Sequence, residues 1–169
     1  MNTIKTSFTI KKDKKMEKTN VMRILTQNKI EYKAYEYNPE ETVGENVASL
    51  IGRPAESTFK TLVTVANTKT NYVFVVPVGC SLDLKKAAKV VGVKSIEMIK
   101  QKELLPLTGY VHGGCSPIGM KKKFHTVIHK TAVSFEKIAF SAGKKGCQVE
   151  INPQDLIKLI NAEIADIVI

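Results

Sequence analysis

The sequence contains no tryptophan, few cysteines and no apolar run approaching the ~20 residues that a membrane-spanning helix requires. Its three cysteines, Cys80, Cys115 and Cys147, form no CxxC pair and match no metal-ligand spacing. An odd number of scattered cysteines is typical of reduced thiols, so we expect a cytoplasmic protein without a disulfide framework, a metal site or a membrane anchor. The first fifteen residues also lack the apolar core of a secretory signal.

Positive charge, in contrast, is abundant: the 169 residues carry a formal net charge of +10. Five lysines and one aspartate fall within residues 1–15, which we predict to form a flexible basic extension. Residues 16–169 are long enough to stabilise one core and are predicted to form a single domain. Their remaining positive charge favours encounter with a polyanion, although a lysine-rich surface alone is a weak indication of nucleic-acid binding.

Short helical patterns alternate with β-rich runs along residues 16–169. Apolar spacing and capping residues predict a helix beginning after Thr19 or Asn20, and further helices over residues 43–51, 83–91, 100–105 and 153–160. β-Branched and aromatic residues predict strands over residues 32–37, 59–66, 72–78, 95–98, 126–129, 137–141, 148–151 and 164–168. Several neighbouring strands must pair as hairpins. We therefore predict a single-domain α/β fold whose mixed sheet is strongly curved or partly closed into a barrel, with short helices around it.

Lys60 lies within an unusually apolar strand pattern, in which Phe59, Thr61 and Val63 share one face and Lys60 occupies the other. A lysine at such a position either extends its ammonium group to solvent or keeps that group partly desolvated. The first alternative makes it an ordinary edge residue. The second makes it a cationic anchor for a phosphate, an ester carbonyl or a developing oxyanion.

Two glycine-rich passages are candidate backbone sites for an anion or an ester. Gly113-Gly114-Cys115-Ser116-Pro117-Ile118-Gly119 allows close approach to its backbone, whose N–H groups can polarise a carbonyl. Ser141-Ala142-Gly143-Lys144-Lys145-Gly146 places two lysines between glycines, which suits a phosphate contact, but it lacks the Walker spacing. Either passage is also compatible with a plain connection between two strands.

The sequence offers little for covalent or metal chemistry. Cys115 and His112 are close in the chain, but nothing in the pattern brings the thiol and the imidazole together as nucleophile and base. His125 and His129 alternate onto one strand face without a carboxylate or cysteine at zinc spacing. We therefore predict chemistry without a cofactor and without a protein nucleophile.

Five segments in combination resemble the YbaK/EbsC family of aminoacyl-tRNA editing proteins, which is related to the editing domain of bacterial prolyl-tRNA synthetases. They are FKTL at residues 59–62, LDLKKAA at 82–88, TGYVHGGCSPIG at 108–119, SAGKKG at 141–146 and VEI at 149–151. The resemblance extends from about Glu17 to the C-terminus. It implies the fold of that editing domain and deacylation of mischarged tRNA, above all Cys-tRNA(Pro). Three positions depart from the family pattern, where Val43, Cys115 and Gln148 replace an aromatic, an aliphatic and an acidic residue.

The resemblance also implies roles for individual residues. Lys60 is the residue on which activity most depends, and Thr61 lies beside it in the pocket. The glycine–proline loop shapes the aminoacyl pocket and presents backbone amides, with Gly113 and Gly114 assigned to catalysis. The other predicted substrate-binding residues are Tyr35, Ser116, Pro117, Gly119, Ser141, Gly143 and Lys144.

The implied substrate is tRNA, bound mainly by electrostatic attraction, and the implied partner is prolyl-tRNA synthetase. Ester cleavage is expected to use the thiol of the cysteinyl group itself, or a bound water. The alternatives left open are a deacylase for Ala-tRNA(Pro) or another mischarged tRNA, a non-catalytic RNA-binding module, a hydrolase using Cys115, and a domain that binds a phosphorylated metabolite. The oligomeric state, monomer or dimer, is open as well.

Overall fold

The computed structural model describes residues 17–169, so the predicted extension over residues 1–15 lies outside the described residues. The described part contains five α-helices and eight strands, with short 3₁₀ helices at Ala55–Ser57 and Lys130–Ser134. In chain order the helices are α1 (Asn20–Gln27), α2 (Gly44–Leu50), α3 (Leu84–Val91), α4 (Gln101–Thr108) and α5 (Pro153–Ile160). The strands are β1 (Lys33–Glu36), β2 (Phe59–Ala66), β3 (Asn71–Pro77), β4 (Ile96–Met98), β5 (His125–His129), β6 (Ile138–Ser141), β7 (Cys147–Ile151) and β8 (Glu163–Ala165).

The strands form two sheets. The large sheet has the order β4-β2-β3-β5-β8, with antiparallel pairs as far as β3 and parallel pairs beyond it. The small sheet has the order β1-β7-β6 and is antiparallel throughout. A bridge between Thr58 and Ala139 joins the two sheets beside the start of β2. The predicted mixed α/β architecture is therefore confirmed, with its strands distributed over two sheets.

Local sequence signals set the helix boundaries. The Thr19 hydroxyl accepts a hydrogen bond from the Met22 amide at the start of α1, and the Asp83 carboxylate accepts two backbone hydrogen bonds at the start of α3. Gly92 ends α3 with a φ of +77°, a left-handed conformation that glycine adopts without a steric penalty. The predicted caps at Thr19 and Asp83 are thus confirmed.

Two predicted elements end three residues away from the predicted position. α4 continues through a proline to Thr108 instead of stopping at residue 105, because the residue that lets the chain leave the helix is Gly109, with a φ of +88°. β8 ends at Ala165 instead of residue 168, because the Ile167 amide turns away from the sheet to donate to Nδ1 of His129. Neither difference involves a predicted site residue.

The large sheet is covered on both faces. One face packs with the small sheet, α1 and α5 around a core that includes Phe59 and Phe140. The other face packs under α3 and the C-terminal segment, around Phe74 and Ile167. No helix within residues 17–169 is long and apolar enough to cross a membrane. With both faces occupied, the junction between the two sheets is the place where the fold leaves room for a site.

Candidate functional site

A cavity of about 170 Å³ lies where the two sheets meet. Its walls come from the start of β2, the adjoining ends of β6 and β7, the beginning of α2 with its preceding loop, and the glycine-rich loop between α4 and β5. The predicted site residues that line it are Lys60, Thr61, Gly113 and Ser141. The fold therefore brings the lysine strand and the glycine-rich loop, which are far apart in the sequence, to one cavity.

Lys60 is a half-buried cation in an otherwise apolar part of β2. Its cross-strand partner Val76, whose side chain lies on the same face of the sheet, is completely buried. Lys60 lines the same cavity as Gly113. A cation in surroundings of low dielectric constant interacts more strongly with an entering anion than a cation in water does.

Two hydrogen-bonding atoms of the cavity wall have no partner. They are Thr61 Oγ1 and Gln148 Oε1, two of the four buried side-chain atoms without a hydrogen bond within residues 17–169. Buried polar atoms are nearly always satisfied in folded proteins, because an unsatisfied one costs about 1–3 kcal/mol. Their occurrence together in one cavity indicates a place where a ligand completes the hydrogen bonds.

The glycines at the start of the glycine-rich loop allow it to pack tightly against its neighbours. Gly113 has a φ of +88°, and a Cβ atom there would lie 3.2 Å from the Thr42 side chain. A Cβ atom on Gly114 would lie 3.0 Å from backbone atoms of Lys144 and Lys145. Glycine suits position 113 because of the left-handed φ, and position 114 because the loop there meets the backbone of the turn between β6 and β7.

Gly114 has a different role from the predicted amide donor. Its N–H donates to the Val111 carbonyl at 2.9 Å within a turn, so it is not available to polarise an ester. Gly114 is also buried and lies outside the cavity wall. Gly113 is the glycine of the pair that lines the cavity, and Gly114 packs behind it.

In the second half of the glycine-rich loop, residues 116–118 are buried. Ser116 is completely buried, and its hydroxyl accepts a hydrogen bond from the Ile118 amide at 3.3 Å. The Tyr110 hydroxyl donates to the Ile118 carbonyl, and a Cβ atom on Gly119 would lie 2.9 Å from that hydroxyl. Ser116, Pro117 and Gly119 therefore hold the loop in place, and the structure does not bring them to the cavity wall.

The glycine–lysine turn joins β6 to β7 at the edge of the cavity. Ser141 lines the cavity, and its hydroxyl accepts a hydrogen bond from the Gly143 amide at 3.1 Å. Gly143, with a φ of +99°, shapes the turn and lies outside the cavity wall. Lys144 and Lys145 lie in an adjoining groove that shares Tyr37 with the cavity. The turn therefore presents its lysines beside the cavity instead of within it.

Tyr35 belongs to a buried cluster next to the cavity. Its hydroxyl donates to Glu150 Oε1 at 2.6 Å, and Arg53 donates to the same oxygen at 2.6 Å. Burial, reinforced by the neighbouring Glu150 carboxylate, raises the pKa of the Tyr35 phenol well above its ordinary value. Tyr35 is 5% exposed and lies outside the cavity wall, so the structure does not support its predicted place in the pocket. The tyrosine that lines the cavity is Tyr37.

Several polar residues that line the cavity have no role predicted from the sequence, among them Tyr37, Glu41 and Gln148. Alternation along β1 was the signal available for Tyr37, since it follows Tyr35 by two positions. Gln148 lies opposite both Tyr35 and Ser141 in the small sheet, a register that only the structure reveals. Nothing in the local pattern marks Glu41, which follows the predicted end of a strand.

The geometry gives little support to covalent chemistry by the protein. Cys115 and His112 both line the cavity, but no hydrogen bond joins them within residues 17–169. Burial raises the pKa of the Cys115 thiol to about 12, so the thiol is protonated at neutral pH. Within residues 17–169, His, Cys, Asp and Glu side chains form no cluster of three or more that suits a metal ion.

The fold and the cavity define a class of small α/β proteins that solved structures represent. The hypothetical protein APE2540 superposes with a TM-score of 0.82 at 20% identity, over 89% of this chain and 100% of that chain. A protein described as a candidate trans-editing enzyme for prolyl-tRNA synthetase superposes with a TM-score of 0.78 at 22% identity, over 90% of this chain and 99% of that chain. These two likenesses show the fold.

Sequence comparison shows the family. The aminoacyl-tRNA editing domain matches residues 38–159. A protein of Enterococcus faecalis named as a candidate Cys-tRNA(Pro)/Cys-tRNA(Cys) deacylase, EbsC, is 44% identical over 158 residues, which cover 92% of this chain and 96% of that protein. The chain belongs to the aminoacyl-tRNA editing domain family, and the predicted resemblance is confirmed.

Proposed function

We propose that the chain is an aminoacyl-tRNA deacylase that clears mischarged tRNA in the cytoplasm, with Cys-tRNA(Pro) as its preferred substrate. The observation that carries the proposal is the cavity shared by Lys60 of β2 and Gly113 of the glycine-rich loop. The similarity to EbsC, which extends over nearly the whole of both sequences, supports the same reaction.

The size of the cavity suits a small aminoacyl group. A protein cavity of about 150 Å³ holds a benzene molecule. At about 170 Å³, the cavity has room for a cysteinyl or alanyl group but not for the terminal adenosine as well. The amino acid therefore enters the cavity, and the terminal nucleotide lies across its mouth.

The reaction cleaves an ester that is already reactive, so the protein has mainly to position the ester and stabilise the oxyanion. Lys60 supplies positive charge at the cavity wall for the carbonyl or the terminal phosphate. The Gly113 backbone lies at the same cavity wall, where it can polarise the ester carbonyl. The Thr61 hydroxyl has no hydrogen-bond partner and can also bind the ester. Together these groups stabilise negative charge on the ester oxygen.

The attacking group comes from the substrate or from water. In a cysteinyl ester, the substrate thiol attacks its own carbonyl: the S–C bond forms, the C–O bond to the ribose breaks, the ribose oxygen takes the thiol proton, and a cyclic thiolactone leaves. In an alanyl ester, a bound water attacks the carbonyl, the C–O bond to the ribose breaks, the ribose oxygen takes a proton from the water, and free alanine leaves. The high pKa of the Cys115 thiol is consistent with a site in which the protein supplies no nucleophile.

The acceptor stem of tRNA approaches along the lysine turn. Lys144 and Lys145 lie in the groove next to the cavity, and Tyr37 contributes to both. Lysines contact phosphates without reading the base sequence, so tRNA binding is expected to weaken steeply as the salt concentration rises. Selection of tRNA(Pro) then depends on a partner, for which we propose prolyl-tRNA synthetase.

The experiment that tests the function incubates the full chain with Cys-tRNA(Pro), Ala-tRNA(Pro) and Pro-tRNA(Pro), follows ester loss and identifies the released product. We expect Cys-tRNA(Pro) to be cleaved fastest and Pro-tRNA(Pro) to persist. A thiolactone product identifies attack by the substrate thiol, and free amino acid alone identifies attack by water. Binding of RNA without ester loss would reject catalysis in favour of a non-catalytic binding module.

Lys60→Ala isolates the contribution of the ammonium group. We expect kcat/KM to fall by about 100-fold or more, the loss typical of removing one oxyanion-stabilising group, while the thermal unfolding midpoint stays unchanged. The matched control is Lys89→Ala, which removes the same group from an exposed position on α3 and is expected to keep the wild-type rate. A wild-type rate in Lys60→Ala would contradict the mechanism.

A further inference from the structure

Three polar side chains, Tyr37, Glu41 and Gln148, line the cavity together and are called the acceptor wall below. Burial raises the pKa of the Tyr37 phenol, while Gln148 opposes this shift by hydrogen bonding and Glu41 adds to it through its charge. The three groups are therefore close enough to interact. The proposed ester cleavage uses none of them.

Glu41 is held in place by the beginning of α2. Its carboxylate accepts a hydrogen bond from the Val43 amide at 3.1 Å and contacts the Asn46 side-chain nitrogen at 3.4 Å. A carboxylate offers about four acceptor positions, so these contacts leave part of its capacity unused. None of the ion pairs within residues 17–169 involves Glu41, and its negative charge is available to a cation in the cavity.

Gln148 contributes an acceptor that the described chain does not satisfy. The residue is 7% exposed, and its Oε1 atom is buried without a hydrogen-bond partner. Its cross-strand neighbour Ser141 makes no hydrogen bond to this oxygen, and the Ser141 hydroxyl accepts a hydrogen bond from the Gly143 amide instead. An N–H or O–H group of a ligand in the cavity can satisfy this acceptor.

We propose that the acceptor wall binds the α-ammonium group of the aminoacyl ester, with Glu41 as counter-ion and Gln148 Oε1 as hydrogen-bond acceptor. The inference rests on the proposed deacylase function and adds a restriction on its substrates. An α-ammonium group has a positive charge and three N–H donors, which match a carboxylate and a free amide oxygen. The group binds beside Glu41 and away from Lys60, because like charges repel.

The restriction excludes esters whose α-amine is acylated. Acylation removes the positive charge and two of the three N–H donors, so Glu41 loses its ion pair. The added acyl group also needs room in a cavity of about 170 Å³. The site therefore accepts tRNA esters of free amino acids and spares peptidyl-tRNA and formylaminoacyl-tRNA, whatever their side chain.

The test compares Cys-tRNA(Pro) with N-acetyl-Cys-tRNA(Pro), prepared with its thiol protected as a mixed disulfide and then reduced. Each kcat/KM is divided by the rate constant for uncatalysed hydrolysis of the same ester, because acylation of the amine changes the reactivity of the ester itself. We expect the acetylated ester to be poorer by about 30-fold or more on this scale. Glu41→Gln should lower the value for the free-amine ester by about 10- to 100-fold and change that for the acetylated ester by less than about threefold, since hydrogen bonds to charged groups are the stronger ones.

Glu45→Gln is the matched control, because it neutralises an exposed carboxylate in the first turn of α2 that does not line the cavity. It is expected to behave as the wild type. The thermal unfolding midpoint of Glu41→Gln reports whether the beginning of α2 stays folded. Gln148→Leu is a second variant, for which we also expect kcat/KM to fall for the free-amine ester and not for the acetylated ester.

The possible outcomes separate the two proposals. Two outcomes would overturn the inference and leave the deacylase function intact. In the first, Glu41→Gln slows cleavage of both esters equally. In the second, the wild-type protein cleaves the acetylated ester as fast as the free-amine ester on the corrected scale. A wild-type protein that cleaves neither ester would reject the deacylase function, and this inference with it.

Discussion

Two polar residues on one face of β7, Gln148 and Glu150, have opposite surroundings. The Glu150 carboxylate accepts hydrogen bonds from Tyr35 and Arg53, each at 2.6 Å. The Gln148 amide oxygen is buried as well but has no partner. Because the two residues are two positions apart on a strand, alternation directs them to the same side of the small sheet. A carboxylate with hydrogen-bond partners and an amide oxygen without one thus lie on the same side of β7. We infer that the Glu150 part of the small sheet stabilises the fold and that the Gln148 part contacts the substrate.

The satisfied group is part of a largely buried ion pair. The side chains of Arg53 and Glu150 are 14% and 11% exposed. Arg53 also donates to the Ser57 hydroxyl at 3.0 Å and to the Lys137 carbonyl at 2.8 Å, which connects the 3₁₀ helix before β2 to the small sheet. Removal of one partner from such a pair leaves a buried charge without compensation. The cluster is therefore expected to respond to mutation through stability and the cavity through activity.

The largest expected effect is that of Glu150→Ala, which removes the carboxylate that binds Tyr35 and Arg53. Denaturant unfolding should show a loss of about 3–5 kcal/mol in the free energy of unfolding, because Arg53 stays buried without its counter-ion. Glu136→Ala, which removes an exposed glutamate, is the control and should change the free energy by less than about 0.5 kcal/mol. If Glu150→Ala were as stable as the control, the cluster of Tyr35, Arg53 and Glu150 would not stabilise the small sheet, and the contrast between Glu150 and Gln148 would be wrong.

The elements and one wall of the cavity could be predicted from the sequence because their signals are local. The caps at Thr19 and Asp83 and the glycine after α3 fix helix ends within a few residues of chain. Lys60 was visible for the same reason, since a charge interrupting an apolar alternation is a pattern in a single strand. The structure then adds that this lysine shares its cavity with Gly113.

The other site assignments depend on contacts that no local pattern contains. Tyr35 and Tyr37 have the same spacing signal, yet the Tyr35 hydroxyl donates to Glu150, two residues beyond its strand partner Gln148, while Tyr37 lines the cavity. Ser116 and Gly113 belong to one motif, but packing takes Ser116 into the core. Pairing between distant strands and loops decides each case, so membership of a motif does not indicate which of its residues line the cavity.

The second prediction concerns the unsatisfied group and uses Gln148→Leu. We expect kcat/KM for Cys-tRNA(Pro) to fall by about tenfold. The free energy of unfolding should change by about 1 kcal/mol at most, because the oxygen has no partner to lose and only the hydrogen bond between Gln148 and Tyr37 is removed. Deacylation and denaturant unfolding measured on the same preparation check both parts. A loss of stability like that of Glu150→Ala would place Gln148 in the structural cluster and remove the contrast between the two residues.

A smaller effect is expected for Tyr35→Phe, which removes one of the two donors to Glu150 and keeps the ring. The free energy of unfolding should fall by about 1 kcal/mol at neutral pH, the usual value for one hydrogen bond. Burial raises the pKa of this phenol above its ordinary value of 10.0, so the folded protein keeps a proton that the unfolded chain releases. The resulting stabilisation is complete below pH 10 and is lost as the pH rises further, so the wild type should lose more stability than Tyr35→Phe above pH 10. Parallel pH-dependence of the two proteins would contradict the role of this phenol.

The smallest effect is expected for Cys115→Ala, which tests whether the cavity wall beside Gln148 supplies a nucleophile. Cys115 lines the cavity as Gln148 does, but burial raises the pKa of its thiol to about 12, so only about one molecule in 10⁵ carries a thiolate at pH 7. The Cys115 thiol therefore fills space in the cavity wall and does not act as a nucleophile. Cys115→Ala should therefore keep kcat/KM within about threefold of the wild type, as should the control Cys80→Ala, whereas a nucleophilic thiol would make the first of these inactive. Steady-state deacylation of Cys-tRNA(Pro) decides between the two, and loss of activity in Cys115→Ala alone would move the attacking group from the substrate to the protein.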